Sequence, residues 1–173
     1  MIEKFGVKSS DGKILISHLG LETNMYNNRE DEVSTNFFNS KGNGVRWIND
    51  EKEVAIFPSS GRIIAYPTPD FTFVVVIYHP MDNPDFAAPN NAVIYNKDGS
   101  IHHRMKQQKL VSDLAKKHLK DYSELFESVY WAHDKNGNVV MAVEVGFNRD
   151  LYECRIVDTN TGELLQLLNF GAT

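Results

Sequence analysis

Short apolar runs separated by polar turns dominate this chain, and a helical period surfaces in one stretch only. From Phe71 to Tyr78 every side chain but Thr72 is apolar. A strand of that kind needs cover on both faces, so the pattern predicts a central position in a layered β fold. Val139 to Val145, interrupted by Glu144, is a second run of the same type. Each run leads into the same phrase. Asn91-Ala92-Val93-Ile94-Tyr95-Asn96-Lys97-Asp98-Gly99-Ser100-Ile101 returns as Glu153-Cys154-Arg155-Ile156-Val157-Asp158-Thr159-Asn160-Thr161-Gly162-Glu163-Leu164, in both cases strand, polar turn, glycine, strand. The repeated unit is a three-stranded meander. Aromatic-rich strand starts upstream, Val45-Arg46-Trp47-Ile48 and Val129-Tyr130-Trp131-Ala132, predict a fourth strand per unit and give two units, about 45–105 and 129–170.

The remaining pattern fits around these units. Phe5-Gly6-Val7 and Lys13 to Ser17 flank Ser9-Ser10-Asp11-Gly12, whose Asp-Gly step predicts an opening hairpin. Residues 22–44 turn to Asn, Ser, charge and Gly, a long loop with one short strand near Val33 to Phe38. Val45 to Ile48 and Val54 to Phe57 bracket Asn49-Asp50-Glu51-Lys52-Glu53, a hairpin with an acidic tip. Arg62 to Tyr66 is one more strand, and Pro80, Pro84 and Pro89 stiffen the loop after His79. Then the period changes. Leu110, Val111, Leu114, Ala115, His118, Leu119, Tyr122, Leu125 and Phe126 recur at three- and four-residue steps. That spacing predicts an amphipathic helix over about 105–127, packed on a sheet, with Ser112-Asp113 able to cap a second segment. The whole reads as one domain, 1–173, mostly β (α+β), built of antiparallel meanders with one principal helix.

The meander with its Asp/Asn-x-x-Gly turn resembles a blade of a β-propeller. The resemblance covers 45–105 and 129–170, and two and a half units are too few to close a ring, which typically takes four or more. It therefore implies an open or stacked arrangement of blade-like sheets.

Charge sharpens this picture. The chain of 173 residues has a formal net charge of −5, unevenly placed. Residues 104–120 carry six basic and one acidic side chain, whereas 121–173 carry three and nine. An acidic majority disfavours a nucleic-acid-coating role and favours a basic partner. The single cysteine, Cys154, sits in a strand pattern that predicts a buried, inert thiol. The opening residues lack the succession of a secretion signal, and no apolar run approaches the roughly 20 residues of a membrane helix. A cytoplasmic setting is expected.

Catalytic and metal signatures are sparse. His102 and His103 are adjacent and point to opposite faces of a strand, while His18, His79, His118 and His133 lack paired spacing. Asp158 to Gly162 resembles the start of a calcium loop but lacks the downstream Glu. There is no Gly-x-Ser-x-Gly elbow, and Gly42-Asn43-Gly44 lacks the rest of a phosphate loop. No cofactor is predicted. His79 with Asp82 and Asp85 is the one acid/base grouping, and it defines an alternative: a small hydrolase using His79 and the 80–90 loop. A structural β module of a larger assembly is a third reading.

The acidic clusters carry the preferred one. A small, acidic, single-domain chain without catalytic signature resembles in kind the immunity proteins that neutralise bacterial toxins, including those of contact-dependent growth inhibition. That resemblance implies a non-enzymatic module gripping a basic toxin domain, such as a nuclease. The acidic candidates are Glu30, Asp31, Glu32, Asp50, Glu51 and Glu53, with Asp82 and Asp85 as a second patch. Electrostatic steering would speed capture, and aromatic anchors would hold it.

Overall fold

The computed structural model describes residues 1–17, 19–20 and 41–172. Two hairpins open the chain, β1 (Glu3–Lys8) with β2 (Ile14–Ile16) and β3 (Gly44–Asn49) with β4 (Lys52–Ile56). A meander of β5 (Arg62–Pro67), β6 (Phe73–His79), β7 (Ala92–Asn96) and β8 (Ile101–Met105) follows. After the short helix α1 (Asp113–Lys117) comes a second meander, β9 (Leu125–His133), β10 (Val139–Phe147), β11 (Leu151–Asp158) and β12 (Glu163–Ala172). Among the described residues all pairings are antiparallel and give three open four-stranded sheets, ordered β2-β1-β3-β4, β5-β6-β7-β8 and β9-β10-β11-β12. No helix among the described residues is long and apolar enough to cross a membrane.

The middle sheet explains the apolar run. Because strand side chains alternate, Val74, Val76 and Tyr78 of β6 face the first sheet, where they meet Ile2, Phe5, Val45 and Trp47. Val75 and Ile77 face the third sheet and meet Phe126, Val129, Met141, Val143, Val145 and Phe147. Val74 to Ile77 have no exposed surface at all. Each such side chain contributes about 1.5–3 kcal/mol by leaving water, so this one strand anchors two cores.

The repeated phrase takes the same place twice. Its copies are β7–β8 and β11–β12, the third and fourth strands of the two meanders. Gly99 and Gly162 close the turns at φ +86° and +73°, donating to Asn96 O and Asp158 O. The first strand of the middle meander, however, is β5 and not Val45–Ile48. That segment is β3, which pairs with β1 and β4, so the stretch 45–105 is shared between two sheets.

The helix expected over 105–127 does not form. Met105 ends β8, Leu125 begins β9, and between them only Asp113–Lys117 is helical. Ser112, whose Oγ accepts the Ala115 N–H at 3.1 Å, is the N-cap of that single segment. The rest is extended: Leu110 N–H bonds Asp121 O, and Ser123 N–H bonds Gln108 O, each at 2.8 Å. The reason is tertiary. The buried carboxylate of Glu153 accepts the N–H groups of Val111 and Ser112 at 2.8 and 2.6 Å, and a helix through those residues would withdraw the donors. Nor do the periodic apolar residues mark one face, since Leu110, Ala115 and Phe126 are buried while Leu119 and Tyr122 are exposed.

α1 ends in a Schellman motif. Lys120 N–H bonds Ala115 O at 3.0 Å, and Leu119 N–H bonds Lys116 O at 3.1 Å. The residue in the left-handed position is Leu119, at φ +52° and 90% exposed. Leu119→Gly therefore relieves about 1–2 kcal/mol of left-handed strain and gives back part of it through a freer unfolded chain. The expected result is a gain of about 0.5 kcal/mol in urea unfolding; a loss of stability would show that the Leu119 side chain has a packing role.

Candidate functional site

The described loops of the three stacked sheets gather at two ends. At one end Ile2 N–H bonds Phe71 O, Trp47 Nε1–H bonds Lys97 O, and Trp131 Nε1–H bonds Pro67 O, at 3.3, 2.6 and 2.7 Å. These ties bring together the turns at 50–51, 67–72, 97–100 and 134–138. The turn at 159–162 joins them, for Gly162 packs against His103 of β8. Asp50, Glu51, Asp70, Asp98, Asp134 and Asp158 lie here, against Lys52, Lys97 and Lys135. Four of the aspartates shape their turns by accepting the N–H two residues on, from Thr72, Ser100, Asn136 and Asn160.

Those bonds also fix the charge. Hydrogen bonds from Ser100 to Asp98, from Asn138 to Asp134 and from the Asn160 backbone to Asp158 hold these carboxyls below their ordinary range. At Asp70 partial burial acts the other way and is outweighed by bonds from Thr68 and Thr72. These four aspartates therefore keep their charge to lower pH than ordinary carboxyls do.

Among these turns lies an apolar hollow of about 420 Å³ lined by Leu19, Gly20, Pro69, Phe71, Trp131 and Val139. Trp131 stands edge-on to Tyr66 and Phe71, with centroids 5.3 and 5.8 Å away. Tyr66 in turn clamps Gly20, accepting its N–H at 3.0 Å and donating to its carbonyl at 3.1 Å. These contacts brace the aromatic floor, and Val139 remains exposed on it.

The acidic residues singled out in the sequence fare differently. Glu30, Asp31 and Glu32 lie outside the described residues. Asp50 and Glu51 form the tip of the β3–β4 hairpin, both exposed and neither tied by an ion pair among the described residues. Both sit at positive φ, +49° and +65°, where an Asn-Gly pair is the cheaper choice. The chain keeps two charges at that tip at the expense of turn strain. Glu53 is different: its carboxylate pairs with Lys8 and with Arg46 Nη2, the latter at 3.0 Å. The Lys8 bond chiefly holds its pKa below the usual range. Asp85 is engaged as well, accepting the Ser59 N–H at 2.6 Å and the Ser59 hydroxyl.

Asp82 and His79 do share a groove, at the opposite end of the stack. It encloses about 790 Å³ and is lined by Lys41, Ser60, Gly61, Arg62, His79, Pro80, Met81, Asp82 and Asn83. His79 Nε2 lies 3.1 Å from the Glu127 carbonyl, so that nitrogen carries the proton. Burial, with Arg62 beside it, lowers the imidazole pKa. No carboxylate among the described residues bonds the ring.

One cluster gave little sign in the sequence. On the outer face of the third sheet Tyr130 Oη donates to Cys154 Sγ at 2.8 Å, and the thiol, its pKa raised by burial, lies 3.9 Å from Glu144. Glu127 joins them through a β-bulge: Ser128 opposes Glu144 and Phe126 opposes Val145, which leaves Glu127 as the extra residue. Burial and the neighbouring Glu144 carboxyl push Glu127 up to about 7. A carboxylate interrupting an apolar strand, as Glu144 does, was the one available signal. No three His, Cys, Asp or Glu side chains converge as a metal site among the described residues.

Comparison of the chain with protein-family models, with curated proteins and with solved structures yields no match.

Proposed function

We propose that this chain is a non-catalytic protein-binding module of the immunity type, which captures a basic protein domain, such as a bacterial toxin nuclease, at the acidic end of its sheet stack. The carrying observation is the joint placement of the aromatic hollow and the acidic turns. A fixed apolar anchor inside a charged rim is how hot-spot interfaces are arranged, with the anchor supplying affinity and the rim supplying orientation and on-rate. The strained tip of Asp50 and Glu51 supports the same reading, because it retains charge where turn chemistry favours glycine. The stacked sheets, blade-like in their meanders, serve as a stiff frame, and the module works in the cytoplasm that a toxin would enter.

The test is capture by the full chain. Cross-linking in the native cell followed by purification should yield one basic partner with the wild type. Val139→Arg, which puts a cation on the hollow, should abolish that complex. Asp50→Asn with Glu51→Gln should slow association by about tenfold at low salt and little at high salt. A complex that forms equally with both variants, or a partner that is acidic, overturns the assignment.

A further inference from the structure

We propose that the groove at the other end of the stack binds a small phosphomonoester, a ligand separate from any protein held at the acidic end. Arg62 of β5 and His79 of β6 are directly paired across the strands, so their side chains stand together on one face. Lys41 is brought beside them by the bond from Gly42 N–H to Gly61 O at 2.7 Å. Neither Arg62 nor Lys41 has a carboxylate ion-pair partner among the described residues, in contrast to Lys8, Arg46, Lys116, Lys120 and Arg155. Like charges held side by side repel, and an anion between them relieves that repulsion. Guanidinium and ammonium groups together supply the fork and the point charge that suit phosphate oxygens.

The groove is built before any ligand arrives. Asn83, 1% exposed, ties its two walls by donating to Ser60 O at 2.9 Å and to His79 O at 3.1 Å. Its Oδ1 accepts the Asp85 N–H at 2.9 Å, and Asp85 grips Ser59. Gly61 lets the β4–β5 turn approach closely, since a Cβ there would lie 2.0 Å from His79 O, at a φ of +71°. Bracing of this kind keeps the ordering loss on binding small. His79 adds a response: with Nε2–H committed to the Glu127 carbonyl, its Nδ1 accepts a hydrogen bond from a protonated phosphate oxygen, or takes up a proton and becomes a donor.

Asp82 is the one carboxylate of the lining among the described residues, and it refines the ligand class. It repels a bare phosphate on its side and accepts from a hydroxyl. A phosphate carried on a hydroxylated carbon chain therefore fits better than inorganic phosphate, and the volume of the groove leaves room for it.

The probes are inorganic phosphate and glycerol phosphate, titrated into the intact protein while the His79 ring signals are followed by NMR and identified by their loss in His79→Gln. Saturable shifts are expected below about 10 mM, with glycerol phosphate binding more tightly, and with sodium chloride at equal ionic strength producing none. Arg62→Gln should weaken both ligands at least about tenfold, and Arg62→Lys should fall between, because charge without the fork is retained. Asp82→Asn should erase the advantage of glycerol phosphate. Unmoved His79 signals, or shifts that persist unchanged in Arg62→Gln, overturn the proposal; so does an equal response to sodium chloride.

Discussion

Glu153→Ala should destabilise the protein by about 3–5 kcal/mol, the range for removing one partner of a buried charge pair. The Glu153 side chain has no exposed surface, and it holds three groups at once: the Val111 and Ser112 N–H groups and Arg155 Nη1, the last at 3.3 Å. Arg155, itself buried, spreads its guanidinium over the carbonyls of Leu164, Leu165 and Lys109. The pair thereby fastens the 106–124 connection and the edge strand β12 to the third sheet. Losing the carboxylate leaves two amides unsatisfied and a guanidinium without its counter-charge, each expensive in a dry interior. With stabilities of 5–15 kcal/mol typical of single domains, a loss of this size shifts the urea midpoint by about 2 M. Arg155→Met should cost a similar amount, and the double variant less than the sum, since neither charge is then stranded. The Val111 and Ser112 amides should also lose their hydrogen-exchange protection first. Additive single effects would show that the two charges act independently, and a midpoint within experimental error of wild type would show that the pair fastens nothing.

The same residues show where the sequence was legible. Alternation is a local property, so the strands, their turns and the two-sided burial of β6 could be read from Phe71 to Tyr78 and from the phrase repeated in β7–β8 and β11–β12. Which hairpin joins which sheet is a non-local matter, and Val45–Ile48 carried no mark of its pairing with β1. The false helix has the same root. Leu110 to Phe126 obeys a three-and-four spacing, but the choice was made by Glu153, some forty positions downstream, whose buried carboxylate claims amides that a helix would have used. How free each acidic candidate stands is also a non-local matter: Asp50 and Glu51 carry no ion pair among the described residues, whereas a distant cation pairs with Glu53 and a serine bonds Asp85. The hollow under Trp131 depends on three loops meeting, and no window of sequence contains it.

Glu127→Gln should stabilise the protein at pH 8 and leave it nearly unchanged near pH 4.5. The bulge sets the Glu127 carboxyl over Gly146, where a Cβ would lie 1.8 Å from its Oε1, and beside Glu144. Burial and that neighbouring carboxyl raise its pKa from the ordinary 4.5 to about 7. Between those values the folded chain holds a proton that the unfolded chain has released, so stability is full below pH 4.5 and falls as pH rises through 7. The full shift corresponds to about 3 kcal/mol, and because the group is half exposed, solvent screening leaves about 1–2. Gln supplies the neutral, donating form permanently: its amide can bond the Glu144 carboxylate as the protonated acid does. His79, whose pKa is lowered by burial, works in the opposite sense, its contribution being lost as pH falls through the imidazole range. The difference between variant and wild type cancels that contribution. Urea unfolding at intervals from pH 4.5 to 8 should therefore give a difference that opens steadily with pH and saturates above 7. A difference that is flat, or that closes as pH rises, would mean that the two carboxyls do not share a proton. Gly146→Ala offers an independent check, since the added methyl displaces Glu127 and should both lower stability and narrow the same pH window.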